Sequence, residues 1–472
     1  MRPVVLVSVV VAAVLAAWIA SVALRGGATP PPVPEPSDVT ATGRAAAAYL
    51  EWSPAERLRI ARLNLSRMVG DLPERLGALK EEIALVCDDP AVTALVAESF
   101  PEARGKGDYA LAAYADLFAL VRHSAFVPLT AELLVSDRRL LRAKGVQAAV
   151  VQRHPDLGGP LLRAYELALG EDLAATVNTR ATAVLAAGRT GGPAAAALLQ
   201  QAFRDPAEEV RVGALELAGE LALPSLDAAL SGVLRDPPGP REMIRAAAAL
   251  APRDPAARAR LFAALDPRDP GLSHEATVLV VKLRPAGAAD ALRAFVGAAQ
   301  GEARRGMRTA LIRLGDEAER ARTRADATGG ALELEALGLL AHGGDEGAIG
   351  ILTAAIDRGG PPRLGVVARG LSESGVKELL PVAERLLRVE ARHPAELGEF
   401  AVAFGDALLP ALEREFAAAE TIERARYLAA TLLGVGTPGA REILLRQRAR
   451  YARAVEPALR LLDLGLRSRG AT

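Results

Sequence analysis

Cysteine occurs once, at Cys87, and aromatic residues make up only 4% of the 472-residue chain. A single thiol excludes an internal disulfide framework and any zinc or iron–sulfur centre built from several cysteines. Most of the core, with so few large rings, is not expected to rely on aromatic volume. With 51% hydrophobic residues, and alanine alone about a fifth of the chain, apolar surface must be buried by small side chains on closely approaching helices. Neither sign of charge dominates, since 57 Lys and Arg balance 57 Asp and Glu. The chain therefore has no general attraction for nucleic acid or anionic lipid, and no nucleic-acid partner is expected. His123, His154, His342 and His393 stand at least 31 residues apart without metal-ligand spacing, and a stack of helices is not expected to bring them together.

What is present begins with an uncharged run of 21 residues, Val4 to Leu24, between Arg2 and Arg25. A helix of that length covers a hydrocarbon layer of about 30 Å. Residues 1–25 are read as a transmembrane signal anchor; the alternative is a cleaved signal peptide, with Ser21-Val22-Ala23 as the small-residue site. Either sends the remainder out of the cytoplasm, into the periplasm if the cell is bacterial or into the medium if the segment is removed. Residues 26–42 form a Pro-rich linker with extended polyproline geometry.

From about Gly43 the chain shows no sustained period-2 run of β-branched residues, and segments of Ala, Leu, Arg and Glu predict an all-α body. Helix starts are written as Ser53-Pro54-Ala55-Glu56 and Asp205-Pro206-Ala207-Glu208, with further Asp-Pro pairs between helices. The breakers Gly188, Gly219, Pro252, Pro285, Gly315, Gly343, Gly375, Gly405 and Gly434 recur at intervals of 28 to 33 residues. Arg180, Arg211, Arg245, Arg308 and Arg426 fall seven or eight positions before their breakers. Each unit reads as two amphipathic helices that cannot bury their apolar faces alone, so units of about 31 residues must stack into an α-solenoid. Residues 177–472 carry this register and a C-terminal cap. Residues 43–176 are helical without clear register, with Tyr49, Trp52, Tyr109, Tyr114, Phe118 and Phe126 expected to supply a larger-volume core.

The stretch DPAEEVRVGALELAGEL, Asp205 to Leu221, resembles a HEAT repeat of the short type first associated with phycobilisome lyases. RATAVLAAG at Arg180 to Gly188 and IRAAAAL at Ile244 to Leu250 match in part, and the resemblance covers about 60% of the chain. It implies a protein-binding scaffold, in which Asp205 and Arg211 bond between neighbouring units. Gly188, Gly219 and Gly315 are expected to end helices, Gly219 with positive φ.

Motifs of chemistry fail on context. Gly434 to Gly439 spells a dinucleotide fingerprint but joins two helices. Ser374-Gly375-Val376-Lys377 lacks its companion motifs, and His274-Glu275 has Val278 where a second zinc ligand would stand. Cys87 closes an apolar helix face and reads as a buried, inert thiol. No enzyme activity, metal or cofactor is expected; lyase-like chemistry enters only through the family resemblance.

The expected function is that of a membrane-tethered, extracytoplasmic scaffold or adaptor binding another protein through an extended solenoid surface, lined by second helices such as 225–234 and 288–299. The alternative is a secreted adaptor. The most basic region is C-terminal, where Arg446, Arg450 and Arg453 could meet an anionic partner or form a solvated capping face.

Overall fold

The computed structural model describes residues 48–68, 73–328, 380–388 and 401–470. The uncharged run 4–24, the linker 26–42 and the breakers Gly343 and Gly375 lie outside the described residues. In chain order the helices are α1 (Pro54–Met68), α2 (Pro73–Val86), α3 (Pro90–Arg104), α4 (Asp108–Phe118), α5 (Val127–Leu134), α6 (Arg139–Gln152) and α7 (Gly158–Leu169). They continue as α8 (Leu173–Thr190), α9 (Gly192–Ala202), α10 (Glu208–Leu221), α11 (Asp227–Arg235), α12 (Pro240–Leu250), α13 (Pro255–Ala263) and α14 (Pro270–Leu283). The last are α15 (Ala288–Val296), α16 (Gly301–Arg313), α17 (Glu317–Thr328), α18 (Leu380–Arg388), α19 (Leu409–Ala417), α20 (Ile422–Val435) and α21 (Pro438–Arg469). Among the described residues there is no strand, and no helix is long and apolar enough to cross a membrane.

Local chemistry sets the helix boundaries. At α1, the Ser53 amide donates to Glu56 Oε2 at 2.9 Å while the Glu56 amide donates to Ser53 Oγ at 3.3 Å, a reciprocal cap. Asp89, Asp254 and Asp269 each accept from an amide of the first turn, with proline next in the chain where no amide is needed. Helix ends use left-handed residues, but Gly188, Gly219 and Gly434 are not among them. Ala222 takes φ 49° after α10, and Arg153 and Arg284 take φ 48° after α6 and α14. Gly315 follows α16 with φ 89°, and Gly436 is left-handed where Gly434 remains helical.

Gly188 and Gly219 lie inside α8 and α10, and their role is close packing. A Cβ on Gly219 would sit 3.4 Å from the Cα of Ala249 on α12, and one on Gly188 would sit 3.0 Å from Leu217 on α10. The closest approach to backbone is at Gly145 on α6, where a Cβ would lie 2.9 Å from both Leu133 Cβ and the Leu134 backbone nitrogen. Small residues thus lie where helices approach most closely, which is what the alanine content implied.

The helices stack as antiparallel pairs in two layers. One layer runs through α2, α4, α6, α8, α10, α12, α14 and α16, each packed on the next; α1, α3, α5, α7, α9, α11, α13, α15 and α17 form the other. One apolar core extends from Val127 to Leu311, passing residue 176 without interruption. A second, from Tyr49 to Ala148, holds Phe100, Tyr114, Phe118 and Phe126, with Phe118 and Phe126 stacked at 4.7 Å. Tyr109 does not join it and is 85% exposed. A third core spans Val382 to Leu466. Residues 54–170 therefore pair and stack as the later units do, although their sequence lacks the glycine register.

Replacing Gly145 by Ala forces a methyl against backbone and should destabilise by about 1–3 kcal/mol. At Gly213, in α10, the same change meets nothing within 4 Å. Helix propensity should then raise stability by up to about 1 kcal/mol. Opposite shifts in the urea midpoint are expected.

Candidate interaction surfaces

Arg180, Arg211 and Arg245 bond across units, and Arg308 bonds within its own helix pair. Arg180 is fully buried; its Nε donates to Asp205 Oδ2 at 2.8 Å, its Nη2 to Asp205 Oδ1 at 3.2 Å, and its Nη1 to Thr176 Oγ1 and the Leu173 carbonyl. Tyr165 Oη and the Ala207 amide donate to the same carboxylate. Burial first, then the Asp205 hydrogen bond, pushes the Tyr165 phenol above its ordinary pKa, so the phenol remains a donor. Arg211 reaches Glu242 at 2.7 Å and the Asp205 carbonyl at 2.7 Å. Arg245 joins Glu216 at 3.2 Å to Glu275 at 2.5 Å, and Arg308 bonds Glu319.

Two members of this ladder depart from the expected register. Arg142, in the stretch without glycine register, is buried and bonds Glu171 and the Ser136 carbonyl. Arg426 is exposed: Ala425, Leu428 and Leu432 face the core of α20, and Arg426 lies on the other side. Arg424 takes its place, reaching the Leu387 carbonyl and Glu415. The Arg180–Asp205 network, with every polar partner supplied from within the chain, acts as a fastener. Asp205→Ala leaves Arg180 unpaired inside the core, a change that costs about 3–5 kcal/mol. Arg426→Ala should leave the unfolding midpoint unchanged, and urea titration of both variants checks the contrast.

Arg446, Arg450 and Arg453 are all exposed. Arg446 pairs with Glu413 at 2.7 Å; Arg450 donates to the Ala417 and Ala419 carbonyls and lies over the Tyr451 ring. Helix α21 kinks at Tyr451, and its second half packs on α2. Val455, Leu459, Leu462 and Leu466 form a buried stripe at helical spacing, which is why one face of this segment is covered. Asp463, 1% exposed, accepts from Tyr49 Oη at 2.5 Å and from Arg441 Nε at 2.6 Å. Arg460 pairs with Glu81 and Arg467 with Asp88, so α2 and α21 are bonded together. Cys87 is buried near this seam; desolvation pushes its thiol up to about 12, against the opposing field of Arg467.

At one end of the seam lies a cavity of about 310 Å³ lined by Arg122, His123, Gln152, His154 and Gly470 among others. The expectation that the histidines stay apart is corrected here. Arg122-His123 and Arg153-His154 are the same dipeptide 31 residues apart, and that spacing is the unit length, so equivalent turns of adjacent units stand side by side. Each imidazole Nδ1 accepts from an amide two residues on, Ala125 or Asp156. Gln152 ties the turn down by donating to the Phe118 and Val121 carbonyls. Among the described residues no group of three or more His, Cys, Asp or Glu could hold a metal ion.

A separate surface runs along the starts of α4, α6 and α8. Arg138 at the head of α6 reaches Asp108 on α4, and Arg139 donates to the Ala175 carbonyl on α8. The same three turns carry Tyr109, Leu140 and Leu173, all exposed, with Val135 exposed just before α6.

No protein-family model matches the chain, and none of the curated proteins matches it. Among solved structures it is similar to human deoxyhypusine hydroxylase in complex with glycerol, at 16% identity over 67% of this chain and 98% of that chain, with a TM-score of 0.22. It is similar to a Kap95p structure concerned with RanGDP, at 9% identity over 96% of this chain and 66% of that chain, with a TM-score of 0.37. A substituted Kap121p matches at 14% identity over 84% of this chain and 46% of that chain, with a TM-score of 0.32. The chain thus spans about two thirds and under half of those two. At these scores the likenesses identify neither a family nor a partner.

Proposed function

We propose that this chain is a HEAT-like scaffold that binds another protein along the edge formed by the starts of α4, α6 and α8. The observation that carries the reading is the row of exposed Tyr109, Val135, Leu140 and Leu173 on three adjacent helices whose spacing is held by Arg138–Asp108 and Arg139–Ala175 bonds. Contiguous exposed apolar side chains rimmed by charge mark protein-binding surfaces, and tyrosine is favoured among the residues that dominate such contacts. Positions fixed before binding also reduce the ordering cost of association. The uncharged run 4–24 and the proline-rich spacer support a tethered body outside the cytoplasm, with the partner at or near that membrane.

Crosslinking in cells of the full-length protein, with quantified capture of what it holds, tests the edge. Tyr109→Asp combined with Leu140→Asp should keep the helical circular dichroism and lower recovery of the wild-type partner at least tenfold. Full recovery by a folded double variant rules out this edge as the docking surface.

A further inference from the structure

Arg122 lines the seam cavity, and behind it Arg153, Arg469 and Arg189 lie within reach of one another's charge. Arg153 feels the charges of Arg122 and Arg469, and Arg189 feels that of Arg153; in both, desolvation comes first and the like charges add to it in holding the group below its ordinary pKa. Arg469 is likewise lowered by burial. Their visible partners are backbone carbonyls: Arg469 donates to Gly436 at 2.9 Å, Arg189 to Val150 at 3.3 Å and Arg122 to Arg469 at 3.5 Å. Among the described residues none of the four makes an ion pair with a carboxylate, whereas ladder and seam arginines such as Arg180, Arg245, Arg441 and Arg467 all do. Arg153 Nε is buried with no hydrogen-bond partner at all. Helix α6, which ends at this cavity, contains no acid; the nearby carboxylate is Asp156, 79% exposed, with an oxygen 3.5 Å from His154 Nδ1. Crowded, partly desolvated cations without a counter-ion are costly, and an oxyanion that accepts several charge-assisted hydrogen bonds offsets that cost.

We propose that the cavity between the Arg122-His123 and Arg153-His154 turns and the end of α21 is a binding site for a small phosphate-type oxyanion, either inorganic phosphate or the phosphoryl group of a small monoester. Each imidazole uses Nδ1 as an acceptor inside its own turn, which leaves Nε2 as the ring donor for a ligand. The Ser124 hydroxyl lines the same space. Because the cavity lies between the turns after α4 and α6 and the residue that ends α21, one bound anion would tie the end of α21 to those two turns. The site stands independently of the protein-binding edge on α4, α6 and α8.

Isothermal titration of the full-length protein with sodium phosphate and with phenyl phosphate, against sodium chloride at matched ionic strength, tests this. Saturable binding of at least one phosphate probe is expected, with chloride silent. Tighter binding of phenyl phosphate would assign the site to a monoester, and tighter binding of inorganic phosphate to the free ion. Arg122→Gln with Arg153→Gln should weaken binding at least tenfold, while Arg453→Gln on the exposed C-terminal surface should not change it. In phosphate-free buffer the double variant should melt no lower than wild type, because repulsion is relieved. Should it fail to fold, Arg122→Gln provides the same titration with one cation removed. Absence of saturable binding by either probe, or undiminished binding by the folded variants, overturns the site.

Discussion

An arginine on one helix pair that can satisfy its guanidinium only with an acid of the next is the constraint on which this architecture rests. Arg180 and Asp205 show it in its strictest form, with both side chains removed from water and bonded to each other between units. Small-residue contacts alone would let alanine-rich helices slide, since one methyl resembles another. A buried, fork-shaped donor does not tolerate sliding, because a displaced partner leaves a charge unpaired in low dielectric. Arg142–Glu171, Arg211–Glu242 and Arg245–Glu275 repeat the device along the stack, so its register is set by charge while its cohesion comes from apolar burial.

The same device binds the chain's ends. Asp463 takes Tyr49 and Arg441, and Arg460 and Arg467 reach Glu81 and Asp88. A terminal unit that would otherwise present an apolar face finds that face covered by α2, which removes the need for a polar cap. Fixing both ends also stiffens what lies between them, and the exposed edge at Tyr109, Leu140 and Leu173 is carried on that stiffened part. A surface held in place by its own scaffold suits recognition of a folded partner more than induced fit around a flexible one.

Much of this was legible from the chain alone. Helical class, paired units, the Ser53 cap and the repeat arginines follow from local chemistry, which acts over a few residues. Glycine was the less faithful guide: Gly188 and Gly219 mark close approach between helices, and the left-handed terminus after α10 is Ala222, which no composition rule selects. Arg424 and Arg426 differ by two positions, enough to move from the core side of a helix to the solvent side while keeping the repeat spacing within its scatter. Contacts such as Tyr49 to Asp463 depend on how many units intervene and how far each turns, quantities that the pattern of one unit does not contain. The Arg-His pair at 31 residues was a usable signal, since a repeat of chemistry at the unit length means neighbours in space.

Hydrogen–deuterium exchange, resolved by peptide, on the wild type and on Asp463→Asn tests most directly whether the ends are bonded as one unit. The structure predicts that weakening this carboxylate raises exchange together in residues 48–68, 73–86 and 438–469, segments far apart in the chain. Faster exchange confined to the peptide around residue 463, with the N-terminal helices unchanged, would contradict it.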